Sequence, residues 1–305
     1  MTEIQQWSDA AMFLSAPMRG DGISVHLLWA TPDPLGAIAA ACRMYEGFPT
    51  YSLDDITDED RKRYWRQVQD THLKAPLEFV KFHFFIEGVD RAFTHQMVRQ
   101  RTAVYAQESM RFAVKDNFVS ETPLPPSLMG LPDDDPKVVL WSRALQNIQV
   151  AYNNLVDTGV PAEDARGLLP HATTTRLNYA TDLRALADHA GNRLCTQAQF
   201  HWRIVFTQIR QAIRSLGWQG ELISELFMPV CYQLGRCPFK ADFDRGCTIR
   251  DRVDAFHSVG VKSDQWDQGS EEHDIAPIDP AEWLTDPRAA HVKRGDRHGD
   301  QSGRW

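Results

Sequence analysis

Apolar and polar residues alternate in two stretches of the first hundred residues, and this period of two predicts β-strands with one buried face. The first stretch runs from Ile23 to Leu28. The second runs from Val80 to Ile86, and Gly88 is expected to end it. The first third of the chain is therefore expected to contribute at least two strands.

Apolar residues at a helical spacing predict α-helices over much of the remaining chain. Asp33 and Asp90 each stand where they would cap such a helix, and Pro34 suits a first helical position. The predicted helices cover residues 34–42, 58–71, 90–99, 141–155, 183–190 and 196–215, and another begins near residue 161. We thus expect the chain from residue 141 to about 215 to be helical.

Two further features concern the surface. Residues 123–136 contain five prolines and are expected to form a long surface loop. On the last predicted helix, Arg203, Arg210 and Arg214 share one face, which favours a solvated basic stripe.

Composition and charge narrow the class of protein. The 305 residues are 43% hydrophobic, enough for a sizeable core, but no apolar run is long enough to cross a membrane. The formal net charge of −8 argues against direct binding of nucleic acid, because such binding depends on neutralising phosphates. The N-terminus lacks the segments of a secretory signal, and five cysteines without a CxxC pair argue against a disulfide framework. A cytoplasmic location is therefore expected.

An arginine cluster provides the first candidate site. It consists of Arg91, Arg99, Arg101 and Arg111, with only Asp90 and Glu108 as nearby acids. Each guanidinium presents paired donors that match phosphate and carboxylate oxygens, and Ser109 with neighbouring backbone N–H groups would complete a phosphate cradle. A surface helix with ordinary ion pairs explains the same composition, so the residue pattern alone leaves both interpretations open.

A possible metal site lies nearer the C-terminus. Its members are Cys231, Cys237, Cys247 and His257. The spacing departs from common structural zinc sites, so incidental or buried cysteines are favoured and no metal site is predicted. The chain has no glycine-rich phosphate loop and neither the GxSxG nor the HExxH motif.

Two separate motifs resemble the flavin-dependent thymidylate synthases (ThyX). The family motif RHRxxSxNxxSxR stands here as Arg99, Gln100, Arg101, Val104, Ala106, Ser109 and Arg111. The stretch Ala165–Pro170 is similar to the family's A-R-x-x-L-P, and Asp182, Arg184 and Arg193 follow it in the family's order. The resemblance covers residues 36–230.

This resemblance implies a fold, a reaction and an assembly. The fold would be α+β, a ThyX-like central antiparallel sheet flanked by helices, with a long helical segment. The reaction would be methylation of dUMP at carbon 5, with methylenetetrahydrofolate as carbon donor and FAD reduced by NADPH. The enzyme would be a homotetramer whose active sites each draw on several subunits. Residues 1–232 would form the catalytic domain, and 233–305 a cysteine-containing extension ending in a mobile tail.

The resemblance also assigns roles to individual residues. Arg193 would be the catalytic arginine beside the pyrimidine. The residues that map onto nucleotide-binding positions are Gln96, Gln107, Ser109, Arg111, Arg166 and Arg193. Those that map onto flavin-binding positions are Arg99, Gln100, Arg101, Asp182, Arg184 and Asp188.

Several departures from the family pattern affect the flavin positions most. Histidine is replaced by Gln100, serine by Val104 and asparagine by Ala106, and a hydroxyl and a histidine are missing at Ala75 and Phe79. Gln107 replaces a usual glutamate beside the nucleotide, and Asp182 and Asp188 replace neutral asparagines. Three hypotheses follow. The protein is an active thymidylate synthase, a pyrimidine-nucleotide carbon-5 hydroxymethylase or related modifying enzyme such as one that serves phage DNA hypermodification, or a non-catalytic nucleotide-binding paralogue.

Overall fold

A four-stranded antiparallel sheet forms the centre of the protein. The computed structural model describes residues 22–195 and 198–234, and all structural statements concern these residues. The strands are β1 (Ser24–Ala30), β2 (Lys81–Asp90), β3 (Ala103–Gln107) and β4 (Thr174–Asp182). Their order in the sheet is β1-β2-β4-β3, and every neighbouring pair is antiparallel. The predicted central antiparallel sheet is confirmed.

Strand β2 continues past the glycine that was expected to end it. Phe82, Phe84 and Ile86 are buried on one face, as their alternation predicts. At Gly88 the backbone has φ +75°, and the register with β4 shifts between Ile86 and Val89. The expectation of a strand end at Gly88 is therefore wrong, because the glycine forms a β-bulge and pairing resumes beyond it.

The sequence pattern missed strands β3 and β4, and β4 lies inside the region that was expected to be helical. The buried face of β4 consists of Thr175, Leu177, Tyr179 and Thr181. Half of these residues are threonines, so a hydrophobic pattern of period two is too weak to identify the strand. Threonine is nevertheless favoured in strands, and its neighbours β2 and β3 supply hydrogen bonds on both edges.

Helices surround the sheet. The first six are α1 (Pro34–Tyr45), α2 (Asp58–Asp70), α3 (Arg91–Met97), α4 (Phe118–Glu121), α5 (Pro126–Met129) and α6 (Pro136–Asp157). The remaining five are α7 (Ala162–Ala165), α8 (Leu183–Arg193), α9 (Phe200–Arg214), α10 (Trp218–Ser224) and α11 (Val230–Leu234). Short 3-10 helices cover Leu53–Asp55, Ala75–Phe79 and Arg166–Leu168. No helix in the described ranges is both long and apolar enough to cross a membrane.

Aspartate caps start the helices that carry the site. The side chain of Asp90 accepts a hydrogen bond from the backbone N–H of Phe93 at 2.6 Å, and this starts α3 as predicted. Asp182 caps α8 in the same way through Ala185 N–H, and Asp33 caps α1 through Gly36 N–H, both at 2.9 Å. The predicted long loop 123–136 is interrupted by α5 and ends where α6 begins.

Helix α9 packs against the sheet side of the core, and Trp202, Phe206 and Ile209 on it are fully buried. The prediction of a solvated arginine stripe on this helix is wrong for two of its three members. Arg203 is buried with its guanidinium over the ring of Phe200, and the half-buried Arg210 donates to the carbonyl of Ser224. A long aliphatic stem lets arginine bury most of its length in an apolar setting.

Candidate active site

Helix α3 lies between two cavities that share no lining residue. The first cavity has a volume of about 510 Å³, and the second about 590 Å³. Positions 91, 94, 95 and 98 share one face of α3 and line the first cavity, whereas Gln96 and, beyond the end of the helix, Arg99 line the second.

The first cavity carries an excess of positive charge. Its charged lining residues are Arg91, Glu163 and Arg166. Arg111 forms an ion pair with Glu163 at 2.9 Å and neutralises the single carboxylate. Arg166 donates from Nε to the backbone carbonyl of Glu163 at 3.0 Å, and within the described ranges neither Arg91 nor Arg166 pairs with a carboxylate. Two unpaired guanidinium groups suit an anionic ligand.

The turn that carries Ser109 and Arg111 lies at the edge of this cavity and is held in place by contacts of the buried Lys115. Lys115 is almost completely buried and pairs with Glu108 at 3.0 Å and with Glu121 at 3.5 Å. Its backbone N–H donates to the hydroxyl of Tyr152 on α6. Both exposed side chains of the turn are therefore presented on a fixed backbone.

Gln107 lines the first cavity from the end of β3. Its amide nitrogen donates to the hydroxyls of Thr94 at 3.0 Å and Thr175 at 3.4 Å. These bonds connect β3 to α3 and β4, and they orient the amide that replaces the family's usual glutamate.

Arg193 lines the second cavity and is held by two contacts. Its Nε donates to Nε2 of His189 at 3.1 Å, and its guanidinium carbon lies 4.4 Å from the ring centroid of Trp202. Burial lowers the pKa of the Arg193 guanidinium from its usual value. Burial, followed by the charge of Arg193, lowers the pKa of His189 to about 4, so the imidazole is neutral at pH 7.

Gln96 is fixed beside Arg193 by the same tryptophan. The indole Nε1 of Trp202 donates to Oε1 of Gln96 at 3.0 Å, and Nε2 of Gln96 donates to Oε1 of Gln199 at 2.7 Å. Sequence reasoning identified Gln96 and Arg193 but missed Trp202, Gln199 and His189. Trp202 follows the apolar pattern of α9 and is indistinguishable from core in the sequence.

The predicted flavin-binding residues lie mostly in the second cavity. Arg99, Gln100, Asp182, Arg184 and Asp188 line it, whereas Arg101 is exposed outside it. Two of these, Arg184 and Asp182, already have charged partners.

Arg184 pairs with Glu78 at 2.7 Å, and Asp182 caps α8 and lies 3.4 Å from the ammonium of Lys81. Arg99 contacts the ring of His95, and no carboxylate in the described part of the chain pairs with Arg99 or Arg101.

Gln100, which replaces the family's histidine, points into the fold. Its Oε1 accepts from the hydroxyl of the buried Tyr179 at 2.9 Å, and its Nε2 donates to the carbonyl of Ala185 at 3.3 Å. The amide thereby joins strand β4 to helix α8. Both of its polar ends are used by the protein, so Gln100 contributes to the shape of the cavity wall.

Three other departures from the family pattern lie on exposed surface. Val104 is 72% exposed and Ala106 is also exposed, both on the outward face of the edge strand β3. Phe79 is 61% exposed at the end of a 3-10 helix. Apolar side chains therefore occupy accessible positions where the family motif has polar ones.

The predicted nucleotide-binding residues are divided between two cavities within one chain. Gln107 and Arg166 line the first cavity, and Ser109 and Arg111 lie at its edge beside Glu163. Gln96 and Arg193 line the second cavity. Of the cysteine and histidine cluster, only Cys231 belongs to the described residues; Cys237, Cys247 and His257 lie outside them.

Comparison with known proteins identifies relatives by sequence. The family model described as thymidylate synthase complementing protein matches residues 26–216. A flavin-dependent thymidylate synthase of Pyrococcus abyssi is 31% identical over 234 residues, which cover 75% of this chain and 95% of that protein. A flavin-dependent thymidylate synthase of Geobacter sulfurreducens is 30% identical over 198 residues, 64% of this chain and 83% of that one.

Solved structures with the same fold include two nucleotide complexes. Thymidylate synthase X from Helicobacter pylori, solved with FAD and dUMP, superposes with a TM-score of 0.53 at 20% identity, covering 67% of this chain and 99% of that one. The UMP/dUMP methylase PolB from Streptomyces cacaoi, bound to 5-Br dUMP, gives a TM-score of 0.56 at 23% identity over 67% of this chain and 94% of that one. At these identities the likeness shows the fold.

Proposed function

Because this chain belongs to the family of flavin-dependent thymidylate synthases, we propose that it methylates dUMP at carbon 5. Methylenetetrahydrofolate is the carbon donor and NADPH the reductant. The observation that carries the proposal is the retention of unpaired arginines in the first cavity together with a firmly held Arg193 in the second.

The first cavity provides the phosphate-binding half of the site. Arg91 and Arg166 give it two positive charges that no described carboxylate neutralises. Ser109 and Arg111 extend this surface on a turn held by the buried Lys115. A nucleotide monophosphate supplies the dianionic group that such a set of guanidinium donors binds.

The second cavity provides the pyrimidine half. Arg193 is rigid there because His189 and Trp202 hold it from two directions. A fixed cation beside a uracil carbonyl stabilises the enolate-like charge that develops as carbon 5 becomes nucleophilic. Gln96, oriented by Trp202 and Gln199, is the neutral hydrogen-bonding partner on the same wall.

Arg166 and Arg193 line different cavities within one chain, which supports a site whose two halves come from different subunits. We therefore propose an oligomer in which the first cavity of one subunit faces the second cavity of its neighbour. A homotetramer with shared active sites satisfies this condition.

The residues of the second cavity fit a flavin dinucleotide in part. Arg99 lines this cavity and Arg101 lies exposed outside it. Neither has a carboxylate partner among the described residues, and their guanidinium groups suit the diphosphate of the cofactor. Bound flavin, once reduced by NADPH, would supply the hydride that converts the transferred carbon into a methyl group. Arg184 is already paired with Glu78, and Gln100 is used by Tyr179 and Ala185, so these two side chains shape the pocket.

A carbon-5 hydroxymethylase is the second candidate. The observation that favours it is the loss of polar groups at the exposed positions Phe79, Val104 and Ala106, which lie in the parts of the motif assigned to the flavin. A site that binds nucleotide and folate but delivers no hydride would release a hydroxymethyl product.

Three measurements test the proposed function. The purified protein is expected to show flavin absorbance, to release tritium from carbon 5 of labelled dUMP when methylenetetrahydrofolate and NADPH are present, and to yield thymidylate by mass spectrometry. Arg143→Ala, at an exposed position of α6 away from both cavities, is the control and should match the wild type. A colourless protein that FAD does not reconstitute would remove the methylation hypothesis, and a product heavier by one oxygen would select the hydroxymethylase.

A further inference from the structure

His189 lies half-buried in the wall of the second cavity, in aromatic surroundings that its chemistry does not favour. It lies on α8 one turn before Arg193, and its ring packs edge-on against Trp202 at 4.9 Å and Phe206 at 5.2 Å. A phenylalanine side chain would fill the same space as the imidazole without burying a polar atom. Nδ1 of His189 is buried and has no hydrogen-bond partner among the described residues. The imidazole therefore costs stability that a phenyl ring would not.

The other ring nitrogen explains what the imidazole contributes. Nε2 accepts the Nε–H of Arg193 at 3.1 Å, which requires the neutral tautomer with its hydrogen on Nδ1. Burial and the adjacent positive charge lower the pKa of His189 to about 4, which keeps this acceptor available at neutral pH. A protonated ring would lose the acceptor and repel the guanidinium.

The two contacts of Arg193 fix its guanidinium in different ways. The ring of Trp202 determines the plane of the group, because the guanidinium carbon lies 4.4 Å from the ring centroid. The hydrogen bond to His189 determines how the guanidinium is rotated within that plane, because it uses the Nε–H of Arg193. Both Nη groups are then left for a ligand in the second cavity, and no described residue accepts a hydrogen bond from them.

We propose that His189 is a positioning residue for Arg193: it accepts the Nε–H and directs the two Nη groups of the catalytic arginine toward the pyrimidine. This inference rests on the proposed function, in which Arg193 stabilises charge on the uracil. According to this inference, turnover needs an uncharged hydrogen-bond acceptor at position 189, and an aromatic ring alone is not sufficient.

Two variants separate the acceptor from the packing. His189→Phe keeps a ring against Trp202 and Phe206 but removes the acceptor, and His189→Gln places an amide oxygen near the position of Nε2. We expect His189→Phe to lower kcat about tenfold, the loss typical of one hydrogen bond to a charged group, while the KM for dUMP changes less than about twofold. His189→Gln should recover most of this loss.

A double-mutant cycle with Arg193→Lys provides a readout that a purely structural role would not change. Lysine has no Nε–H, so His189→Phe should have no further effect on kcat in the Arg193→Lys background. Additive losses would overturn the positioning role, as would a His189→Phe enzyme with wild-type kcat. Thermal unfolding of each variant shows whether it is folded, and His189→Phe is expected to be at least as stable as the wild type.

Ligand-free crystal structures distinguish failure of this inference from failure of the proposed function. If the wild type does not turn over dUMP, the proposed function fails, but the geometry is still decided by the two structures. The guanidinium of Arg193 should be ordered over Trp202 in the wild type and in His189→Gln, and should rotate or become disordered in His189→Phe. An unchanged guanidinium in His189→Phe would contradict the positioning role whatever the activity.

Discussion

Replacing Gln100 by leucine removes the amide that joins strand β4 to helix α8 while keeping a side chain of similar size. Oε1 of Gln100 accepts a hydrogen bond from the hydroxyl of Tyr179 at 2.9 Å, and the Tyr179 side chain is fully buried. A buried donor without its acceptor costs ~1–3 kcal/mol, and the longer bond to the carbonyl of Ala185 adds ~0.5 kcal/mol. We expect the free energy of unfolding to fall by ~2 kcal/mol.

Urea unfolding followed by circular dichroism measures this loss, with the protein concentration held fixed because assembly contributes to stability. Two variants control the interpretation. Gln100→His restores the family residue, whose ring both accepts and donates, and should be close to the wild type. Tyr179→Phe removes the donor, so adding Gln100→Leu to it should cost distinctly less than Gln100→Leu alone. Equal losses in both backgrounds, or no loss in either, would refute the anchoring role.

Three further predictions concern the site. Arg193→Ala should leave dUMP binding measurable by calorimetry but lower kcat by a factor of ~100 to 1,000, because the charge that it stabilises develops only during reaction; unchanged turnover would show its assigned role to be wrong. Lys115→Met should destabilise the protein by ~2–4 kcal/mol in urea unfolding and raise the KM for dUMP, because Glu108 beneath the turn that carries Arg111 then keeps only the exposed Arg176, at 3.6 Å, as a partner; an unaltered KM would contradict the link between this ion pair and the nucleotide. Because the pKa of His189 is lowered to about 4 in the folded protein, the unfolded chain binds a proton at this residue more tightly than the folded protein does. The contribution of the neutral His189 to the free energy of unfolding is therefore complete above about pH 6.5 and is lost as the pH falls toward 4. The wild type should therefore lose ~2–3 kcal/mol more than His189→Phe between pH 7 and pH 4, and parallel pH profiles of stability would contradict the assignment.

Local chemistry made parts of the fold predictable from sequence. Asp33 and Asp90 cap the helices that they were expected to cap, because the signal lies within three residues of the cap. The alternation in β2 was visible because Phe82, Phe84 and Ile86 are large and apolar. Strand β4 was not visible, because its buried threonines carry no hydrophobic signal and its stability comes from the strands on both sides.

The candidate site, like strand β4, was only partly predictable from the sequence. The family motif identified Arg166 and Arg193 but not that they line different cavities, because that separation depends on which face of α3 each stretch of chain packs against. Trp202 was interpreted as a core residue, and it is one, yet its Nε1–H also holds Gln96 and its ring face holds Arg193. The replacement at Gln100 raised the question of flavin binding, whereas the structure shows an amide committed to Tyr179 and Ala185.

Mixing two inactive variants tests most directly whether the nucleotide site is shared between subunits. Arg166→Ala removes a cation from the first cavity and Arg193→Ala removes the cation from the second, so each homo-oligomer is expected to be nearly inactive. When the two chains are unfolded together and reassembled, hybrid oligomers should contain some sites with both arginines intact. For sites formed by pairs of subunits, random mixing restores about a quarter of wild-type activity per site. Recovery near that level is the predicted result, and a mixture no more active than its separate components would contradict a site built from the two cavities of neighbouring chains.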